Sequence, residues 1–160
     1  MSNDKEQKIK TILKNKSAYR DFEIKEKFEA GIVLKGTEVK SLRNGHASFT
    51  DAFAYMDRGE VWLRDMYIKP YEKATHSNHE PVRERKLLLH NSEIRQIDKQ
   101  INRKGYTLIP LRIYFRGSYA KVEIALARGK KKYDKREDIA KKDAKREIER
   151  KIKGRYSVDL

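Results

Sequence analysis

Residues 28–45 read FEAGIVLKGTEVKSLRNG, and this stretch decides the fold because it changes from a strand pattern to a helix pattern. In its first half every second residue is apolar, which is the period of a β-strand with one buried face. The residues predicted to face the core are Phe28, Ala30, Ile32 and Leu34. Gly31, on the opposite face, has no side chain and permits a bend or the close approach of another backbone.

The second half of the stretch predicts a short helix. Thr37 is a suitable N-cap, and Gly45 is suited to ending the helix. Val39 and Leu42 are three residues apart and are predicted to face the core.

The segments that follow predict more strands and further helices. A hairpin is expected around the turn at 57–59 (Asp-Arg-Gly). Three consecutive leucines at 87–89 are assigned to a short helix. A second helix, capped by Ser92, carries isoleucines at spacings of three and four. Two strands, at 107–115 and 122–126, complete the apolar part of the chain.

The predicted order is a strand, a short helix, two strands, a helical segment and two strands. A helix between the third and fourth strands of a five-stranded antiparallel set is the order of the OB-fold, a small barrel that binds oligonucleotides. Pro110 indicates a sheet edge or a bulge because proline lacks the amide hydrogen of the sheet ladder. The predicted fold class is therefore mainly β with flanking helices, as an OB-fold-like closed antiparallel barrel.

The distribution of apolar residues divides the 160-residue chain into three parts. Residues 1–18 are predicted to be a mobile polar arm with a helical turn at about Ile9–Leu13. Residues 19–128 concentrate the apolar side chains, enough for one compact core, and are assigned to the barrel and its helices. Residues 129–160 are assigned to a basic C-terminal tail that is disordered or helical.

The tail carries the strongest charge bias in the chain. Residues 128–155 hold 14 Lys and Arg against 6 Asp and Glu, a net charge of +8 out of +15 for the whole chain. The apolar stripe of the tail repeats every four residues and consists of Ala140, Ala144, Ile148 and Ile152. Such a thin stripe buries too little surface to hold a helix in isolation. The composition favours a polyanionic partner, above all nucleic acid.

Other functional classes lack their sequence signatures. The chain has no cysteine for a disulfide or a thiolate metal site, and no apolar run approaches the roughly 20 residues of a membrane span. The phosphate-binding, dinucleotide-binding and nucleophile-elbow motifs do not occur. His76 and His79, with Glu80, are interpreted as solvated loop residues rather than metal ligands. We therefore expect no enzyme activity, cofactor, metal, small-molecule substrate or membrane association.

One protein family shares four segments of this chain in the same order. They read EAGIVLKGTEVKSLRNGHAS, RERKLLLH, GYTLIPLRIYF and KVEIALARGKKKYDKRE. The chain resembles the small protein B family, the SsrA-binding proteins of bacterial trans-translation, from about Asn15 to its end. The resemblance implies a monomeric cytoplasmic adaptor that binds the tRNA-like domain of transfer-messenger RNA. It also implies delivery of that RNA to stalled ribosomes, with the small subunit and its rRNA as further partners.

The resemblance also implies which residues contact RNA. On the barrel they are Asn15, Lys16, Phe22, Glu29 and Leu88, and the strand and helix patterns add Gly31, Lys40 and Arg43. A solvated face is the alternative for the two cations of the helix. In this family the tail enters the vacant mRNA path of the small subunit. The matching residues are Gly129, Lys130, Lys131, Asp134, Lys135 and Arg136, and Tyr133, Ile148 and Ile152 complete the predicted ribosome-binding tail.

Glu29 is the unexpected member of this set because a carboxylate cannot attract phosphate. It can accept hydrogen bonds from a base or a ribose, and an ordinary salt bridge with a lysine is the other interpretation. Leu88 belongs to three leucines that a helix cannot bury together on one face. It is predicted to be exposed or packed on RNA, with Leu87 and Leu89 in the core.

Two other functions stay open at this point. A general single-stranded-RNA-binding protein of the OB type would carry aromatic residues for base stacking. Tyr114 and Tyr119 are candidates, although aromatic residues in strands usually pack in cores. A magnesium-dependent nuclease would need a carboxylate cluster, for which Asp51, Glu60 and Asp65 are candidates. Surface carboxylates of a hairpin explain these three residues better.

Overall fold

The computed structural model describes residues 8–74 and 77–130, and the chain divides into two units, 1–129 and 130–160. Within the described residues there are nine strands and three helices. The strands are β1 (Ile9–Lys14), β2 (Phe22–Ile32), β3 (Ala47–Ser48), β4 (Phe53–Asp57), β5 (Glu60–Arg64), β6 (Tyr67–Ile68), β7 (Arg85–Leu88), β8 (Tyr106–Arg116) and β9 (Tyr119–Gly129). The helices are α1 (Ala18–Asp21), α2 (Gly36–Arg43) and α3 (Asn91–Ile101). The prediction of a mainly β protein with flanking helices is confirmed.

Seven strands form one sheet in the order β1-β8-β4-β5-β7-β2-β9, with antiparallel pairing. The last strand in that order, β9, also pairs with β8 along most of its length. β2 pairs with β9 from Phe22 opposite Gly129 to Gly31 opposite Lys121. β3 and β6 form a separate two-stranded sheet.

Two clusters of buried apolar side chains lie on opposite faces of the long strands. The larger one includes the predicted inward residues of β2, since Phe28, Ala30 and Ile32 are at most 8 % exposed. Its other members come from every strand of the large sheet except β1, from β6, from the helices α2 and α3, and from the connecting segments at Phe49, Ala52 and Met66. The smaller cluster consists of Ala18, Ile109, Leu111, Ala125 and Ala127. α1 therefore covers part of the outer face of β8 and β9.

The segment Ile9–Lys14 is a strand, and the expectation of a mobile arm with a helical turn there is wrong. β1 pairs with residues 112–116 of β8, and Ile12 and Leu13 pack against the larger core cluster. The register shifts between Thr11 and Leu13, which is a bulge. The bulge interrupts the two-residue alternation of apolar side chains, and this interruption hid the strand from the sequence pattern.

The leucines at 87–89 were also assigned wrongly, because β7 is a strand that pairs with β5 on one side and β2 on the other. Leu87 is 2 % exposed in the core, whereas Leu88 is 52 % exposed on the outer face, as predicted for this residue. Leu89 packs against the core from the end of the strand. In a strand with one buried face the outward residue is usually polar, but here it is Leu88. The three consecutive leucines therefore show no alternation, and their pattern cannot be distinguished from that of a buried helix.

The predicted hairpin and the predicted bulge are both confirmed. β4 and β5 pair from Phe53 opposite Arg64 to Asp57 opposite Glu60. The turn between them has positive φ angles of 51° at Arg58 and 77° at Gly59. In the β8–β9 pair the register shifts after Pro110, which accommodates the residue that cannot donate to the ladder.

The two longer helices begin earlier than predicted. The N-cap of α2 is Lys35 instead of Thr37, and the Glu38 side chain accepts a hydrogen bond from the Lys35 N–H at 2.8 Å. The N-cap of α3 is His90 instead of Ser92, and a glutamate three residues later accepts from its N–H in the same way. In each helix the acidic half of a capping box therefore marks the start, without the usual Ser or Thr at the cap itself.

A buried ion pair joins α2 to β7. The side chains of Glu38 and Arg85 are both 0 % exposed, and Arg85 and Arg83 donate hydrogen bonds to the two carboxylate oxygens. Arg85 also donates to the carbonyls of Met66 at 2.7 Å and Pro81 at 3.2 Å. Burial by itself raises the pKa of Glu38, but hydrogen bonds from Arg83 and a backbone N–H, with the charge of Arg85, outweigh burial and lower it. The pair is charged at neutral pH and holds α2 against the sheet.

His79 is buried, so the interpretation of this loop as solvated is wrong for this residue. Its Nε2 lies 2.9 Å from the Ile68 carbonyl, which only accepts, so Nε2–H is the donor. Its Nδ1 lies 2.9 Å from Thr37 Oγ1 and shares a hydrogen bond with that hydroxyl. Both ring nitrogens therefore bind protein groups, and the loop is held to α2 and β6. His76 lies outside the described residues.

Candidate nucleic-acid interface

Gly31 and Leu88 lie in one row across the outer face of the large sheet. Gly31 is paired with Leu88 of β7 on one side and with Lys121 of β9 on the other, and Lys121 is paired with Tyr114 of β8. A Cβ at position 31 would lie 3.4 Å from the Leu88 Cβ. The exposed Leu88 side chain therefore rests over the glycine, and the row presents an apolar contact beside a cation.

Glu29 lies in the next row, where it is paired with Glu123 of β9 and Glu123 is paired with Arg112 of β8; these three residues form the Glu29 row. Two donors hold the Glu29 side chain. Its Oε2 accepts hydrogen bonds from the Tyr114 hydroxyl and, at 2.7 Å, from the Arg116 guanidinium. The lysine partner that we considered from the sequence is thus replaced by a tyrosine and an arginine. The side chain stays 39 % exposed, and Oε1 has no hydrogen-bond partner among the described residues. This oxygen is available to accept from a ligand.

The protonation states of this pair follow from their contacts. Burial by itself raises the pKa of Glu29, but the hydrogen bonds from Tyr114 and Arg116 outweigh it and hold the pKa below its ordinary value. Burial and the bond to Glu29 raise the pKa of Tyr114 to about 12. At neutral pH Glu29 is therefore an anion, and Tyr114 is a neutral donor to it.

Asn15 and Lys16 border a basic cleft beside this network. The cleft has a volume of about 420 Å³ and is lined by Lys14, Asn15, Lys16, Tyr19, Lys27, Leu111, Arg112 and Glu123. Arg112 lies 4.5 Å above the ring of Tyr114 and is 3.3 Å from Glu123. The amide of Asn15 donates to the Pro110 carbonyl at 2.9 Å, so this residue also ties the end of β1 to β8.

The remaining barrel residues that we predicted lie elsewhere. Phe22 is half-buried and packs against the smaller apolar cluster. Lys40 lies 5.4 Å from the ring of Tyr71, and Arg43 lies 4.9 Å from the ring of Phe115. These cation–π contacts belong to α2, and they join neither residue to the Glu29 row.

Of the predicted tail residues the structure describes two. Gly129 ends β9, where it pairs with Phe22, and Lys130 follows it. The others lie outside the described residues: Lys131, Tyr133, Asp134, Lys135, Arg136, Ile148 and Ile152.

Sequence reasoning missed four residues of this surface, namely Arg112, Arg116, Lys121 and, as a hydrogen-bond donor, Tyr114. A signal for three of them was present, because Arg112, Tyr114 and Arg116 recur at every second position of β8. Their side chains must share the face opposite Ile113 and Phe115. What the sequence could not show is that this face meets Glu29 across β9.

The alternative sites have little support in the described part of the chain. No group of three or more His, Asp or Glu within it could hold a metal ion. Asp51 and Asp65 occupy turn positions with φ of 65° and 61°, which aspartate tolerates better than most residues. Glu60 is paired with Lys86 at 3.1 Å. Among the helices of residues 8–74 and 77–130, none has the length and apolar character to span a membrane.

Comparison with known proteins identifies the family. The family model described as SmpB protein matches residues 12–154, nearly the whole chain. This chain belongs to the SmpB family. The match includes the Glu29 row, the basic cleft and most of the tail.

Two curated relatives and one solved structure agree with the assignment. The SsrA-binding protein of Carboxydothermus hydrogenoformans is 54 % identical over 147 residues, which cover 92 % of this chain and 99 % of the relative. That of Thermobifida fusca is 55 % identical over 152 residues, 95 % of each chain. A chain of the solved structure described as "tmRNA-SmpB: a journey to the center of the bacterial ribosome" is 50 % identical. It has a TM-score of 0.65 and aligns over 79 % of this chain and 93 % of its own length.

Proposed function

We propose that this SmpB family member binds the tRNA-like domain of transfer-messenger RNA and delivers it to stalled ribosomes for trans-translation. The family match over residues 12–154 carries this proposal. The relatives bear the name SsrA-binding protein, and the structural neighbour comes from a study of tmRNA and SmpB in the ribosome. The protein acts as a monomeric adaptor in the cytoplasm, without catalysis and without a cofactor.

We infer that the large sheet closes as a barrel of the OB type. The pairings support this, because β8 is joined to β4 on one side and to β9 on another, and β9 leads back through β2, β7 and β5 to β4. A closed sheet of this kind presents its outer face to an oligonucleotide. The boundary between barrel and tail at residue 128 remains a prediction.

The outer face of β2, β7, β8 and β9, with Lys16 beside it, is the proposed surface for transfer-messenger RNA. Lys16 and Lys121 supply positive charge for phosphates, and Leu88 supplies an apolar contact for an unstacked base or a ribose. Glu29 supplies a carboxylate acceptor in this basic region, with its Oε1 free of protein partners among the described residues. Charge attracts the RNA, whereas the acceptor selects a group that can donate.

The purified protein should bind the tRNA-like domain without metal or nucleotide. Because each phosphate contact contributes a log–log slope of about −0.7 to −0.9, the affinity should fall steeply as salt rises. Titration of labelled RNA at several salt concentrations measures this slope. Homopolymeric RNA that competed as well as the tRNA-like domain would instead favour a general single-stranded-RNA-binding protein.

Glu29→Ala should weaken binding of the tRNA-like domain about tenfold, the size of one hydrogen bond to a charged group. The sign is informative because the substitution raises the net charge by one, and charge alone predicts tighter binding. The structure also predicts a loss of stability of about 1 kcal/mol, since Tyr114 and Arg116 lose their acceptor. RNA titration and urea denaturation measure the two effects separately.

Glu60→Ala is the matched control for this substitution. It removes the same charge from an exposed pair with Lys86 and lies on β5, outside the Glu29 row. Its RNA affinity should be unchanged or slightly higher. If Glu29→Ala behaves like Glu60→Ala, the acceptor role of Glu29 is wrong.

A further inference from the structure

A second cleft lies between the β4–β5 hairpin, α3 and the start of β8. Its volume is about 610 Å³, within the range of roughly 300–1,000 Å³ for small-ligand pockets. β4 and β8 are paired at one position, Ala54 opposite Leu108, and the two strands separate beyond it. The cleft occupies this separation. None of its lining residues belongs to the Glu29 row or to the basic cleft beside it.

The cleft has an apolar floor and a charged rim. The floor is formed by Met56, Ile94, Ile101 and Tyr106, which are half-buried and pack against the core. The rim carries Arg58 and Arg95 as exposed cations, with Asp98 as the one acidic side chain in the lining. An aromatic ring at the floor and two arginines at the rim match a base with its phosphates.

Neither rim arginine has an ion-pair or hydrogen-bond partner for its side chain among the described residues. This contrasts with Arg64, Arg83, Arg85, Arg112, Arg116 and Arg128, each of which is paired with a glutamate. Further cations on the last turn of α3 and just beyond it, at Lys99, Arg103 and Lys104, are exposed and add to the positive charge. The rim thus presents a net positive charge to an anion.

Arg58 also occupies a backbone position that does not suit arginine. Of the three non-glycine residues with positive φ in the described chain, two are aspartates, which tolerate this region, and the third is Arg58 at 51°. A hairpin turn of this kind favours Asn or Gly at that position. An arginine at this position makes the turn less stable. The place of Arg58 at the rim of the cleft gives a functional reason for the arginine.

We propose that this cleft binds one unstacked nucleotide of single-stranded RNA, with the base against Tyr106 and the phosphates on Arg58 and Arg95. The inference rests on the proposed RNA-binding function and adds a second RNA contact, away from Glu29. The nucleotide can come from transfer-messenger RNA or from rRNA, since both offer the same chemistry.

The first test uses the full chain with the double variant Arg58→Asn and Arg95→Gln. Its affinity for a single-stranded oligonucleotide of about ten nucleotides, a length suited to one OB-type domain, should fall at least tenfold. The slope of log affinity against log salt should become shallower by about 1.4, because two phosphate contacts contribute about 0.7 each.

The single variant Arg58→Asn should have a higher melting temperature than the parent chain, because asparagine suits the turn. If Arg58 had only a structural role, replacing it would not raise the stability of the protein and weaken its RNA binding at the same time.

The matched control is Lys99→Ala with Lys104→Ala. It removes the same two charges from exposed positions on and near α3 that do not line the cleft. Its affinity should change by no more than about twofold, as expected for screened charges. Equal losses in both double variants would overturn the cleft and leave only general electrostatics.

The second test locates the RNA. An oligonucleotide with 4-thiouridine should crosslink within residues 53–59 or 94–107, and Asn102→Trp, which fills the rim without changing charge, should abolish this crosslink. Crosslinks confined to other segments would overturn the proposal.

Separate titrations identify the source of the nucleotide. The Arg58/Arg95 variant is titrated with the tRNA-like domain, with small-subunit rRNA and with adenosine monophosphate, and the ligand for which it loses affinity is the one that the cleft binds. If it loses affinity for none of them and keeps its oligonucleotide affinity, the cleft proposal fails. Failure of the unmodified protein to bind the tRNA-like domain would instead contradict the proposed function.

Discussion

A chain truncated after Lys130 is expected to fold and to retain much of its affinity for transfer-messenger RNA, but to lose tagging of nascent chains on stalled ribosomes. Every strand of the described structure ends by Gly129, and the buried apolar core residues lie between Ala18 and Ala127. The candidate RNA contacts of the barrel lie between Asn15 and Lys121. By its sequence the tail contributes positive charge and a thin apolar stripe, and we expect a stripe of this kind to hold a helix only against a charged groove.

Thermal unfolding, RNA titration and tagging in a reconstituted translation system measure the three properties of the truncated chain. Ile152→Lys is the sharper variant, because it adds a charge while removing an apolar residue of the stripe. If only the positive charge of the tail mattered, the Ile152→Lys variant would tag nascent chains normally. We expect it to lose tagging. Ser157→Lys, which adds the same charge off the stripe, is the control and should tag normally. A truncated chain that still supports tagging would falsify the role proposed for the tail.

Glu38→Ala should lower the free energy of unfolding by about 3–5 kcal/mol, the usual consequence of leaving one partner of a buried ion pair alone. Arg85 would remain 0 % exposed without its carboxylate, and α2 would lose its connection to β7. Since small domains are stable by only about 5–15 kcal/mol, this loss would leave the fold marginal. Urea denaturation monitored by circular dichroism gives the difference.

Glu72→Ala is the control for Glu38→Ala. Glu72 is paired with Lys69 at 2.7 Å, yet its side chain is 74 % exposed and solvent screens the pair, so the urea midpoint should stay close to that of the parent chain. A similar loss in both variants would show that burial does not set the strength of the Glu38 pair.

Stability should also decrease in acid through Glu38. The pKa of Glu38 is lowered in the folded protein, so its contribution is present above the ordinary value of 4.5 and is lost as the pH falls toward the folded-state pKa. The urea midpoint should therefore drop below pH 4.5 in the parent chain and drop less in Glu38→Gln. Equal pH dependence of the two proteins would contradict the lowered pKa.

The parts of the fold that sequence patterns predicted are those with regular alternation on one buried face. β2 and the β4–β5 hairpin are examples, since Phe28, Ala30 and Ile32 face the core and the Arg58-Gly59 turn joins two strands. β1 and β7 were missed for two different physical reasons. A bulge after Thr11 breaks the period of β1, and an exposed apolar Leu88 removes the period of β7.

The candidate site was predicted in composition more than in geometry. Glu29 and Leu88 came from resemblance. The structure places both on the outer face, and their contact with RNA stays a prediction. The partners of Glu29 could not be predicted, because Tyr114 and Arg116 are 85 and 87 residues away in the chain. Contacts at that separation depend on the register of β8 against β9 and of β9 against β2, which the local pattern does not specify.

The pairing of β2 with β9 has a consequence for biosynthesis. Phe22 leaves the ribosome long before Gly129, its partner, and at about 5–20 residues per second the delay is roughly 5–20 s. β2 lacks both of its neighbours until β7 has been made, and it then lacks β9 for the rest of that time. Its alternating apolar face is exposed to other nascent chains, and folding is governed by distant contacts that form slowly. Synonymous changes that slow elongation between β2 and β9 should therefore lower the soluble yield of a protein whose sequence is unchanged.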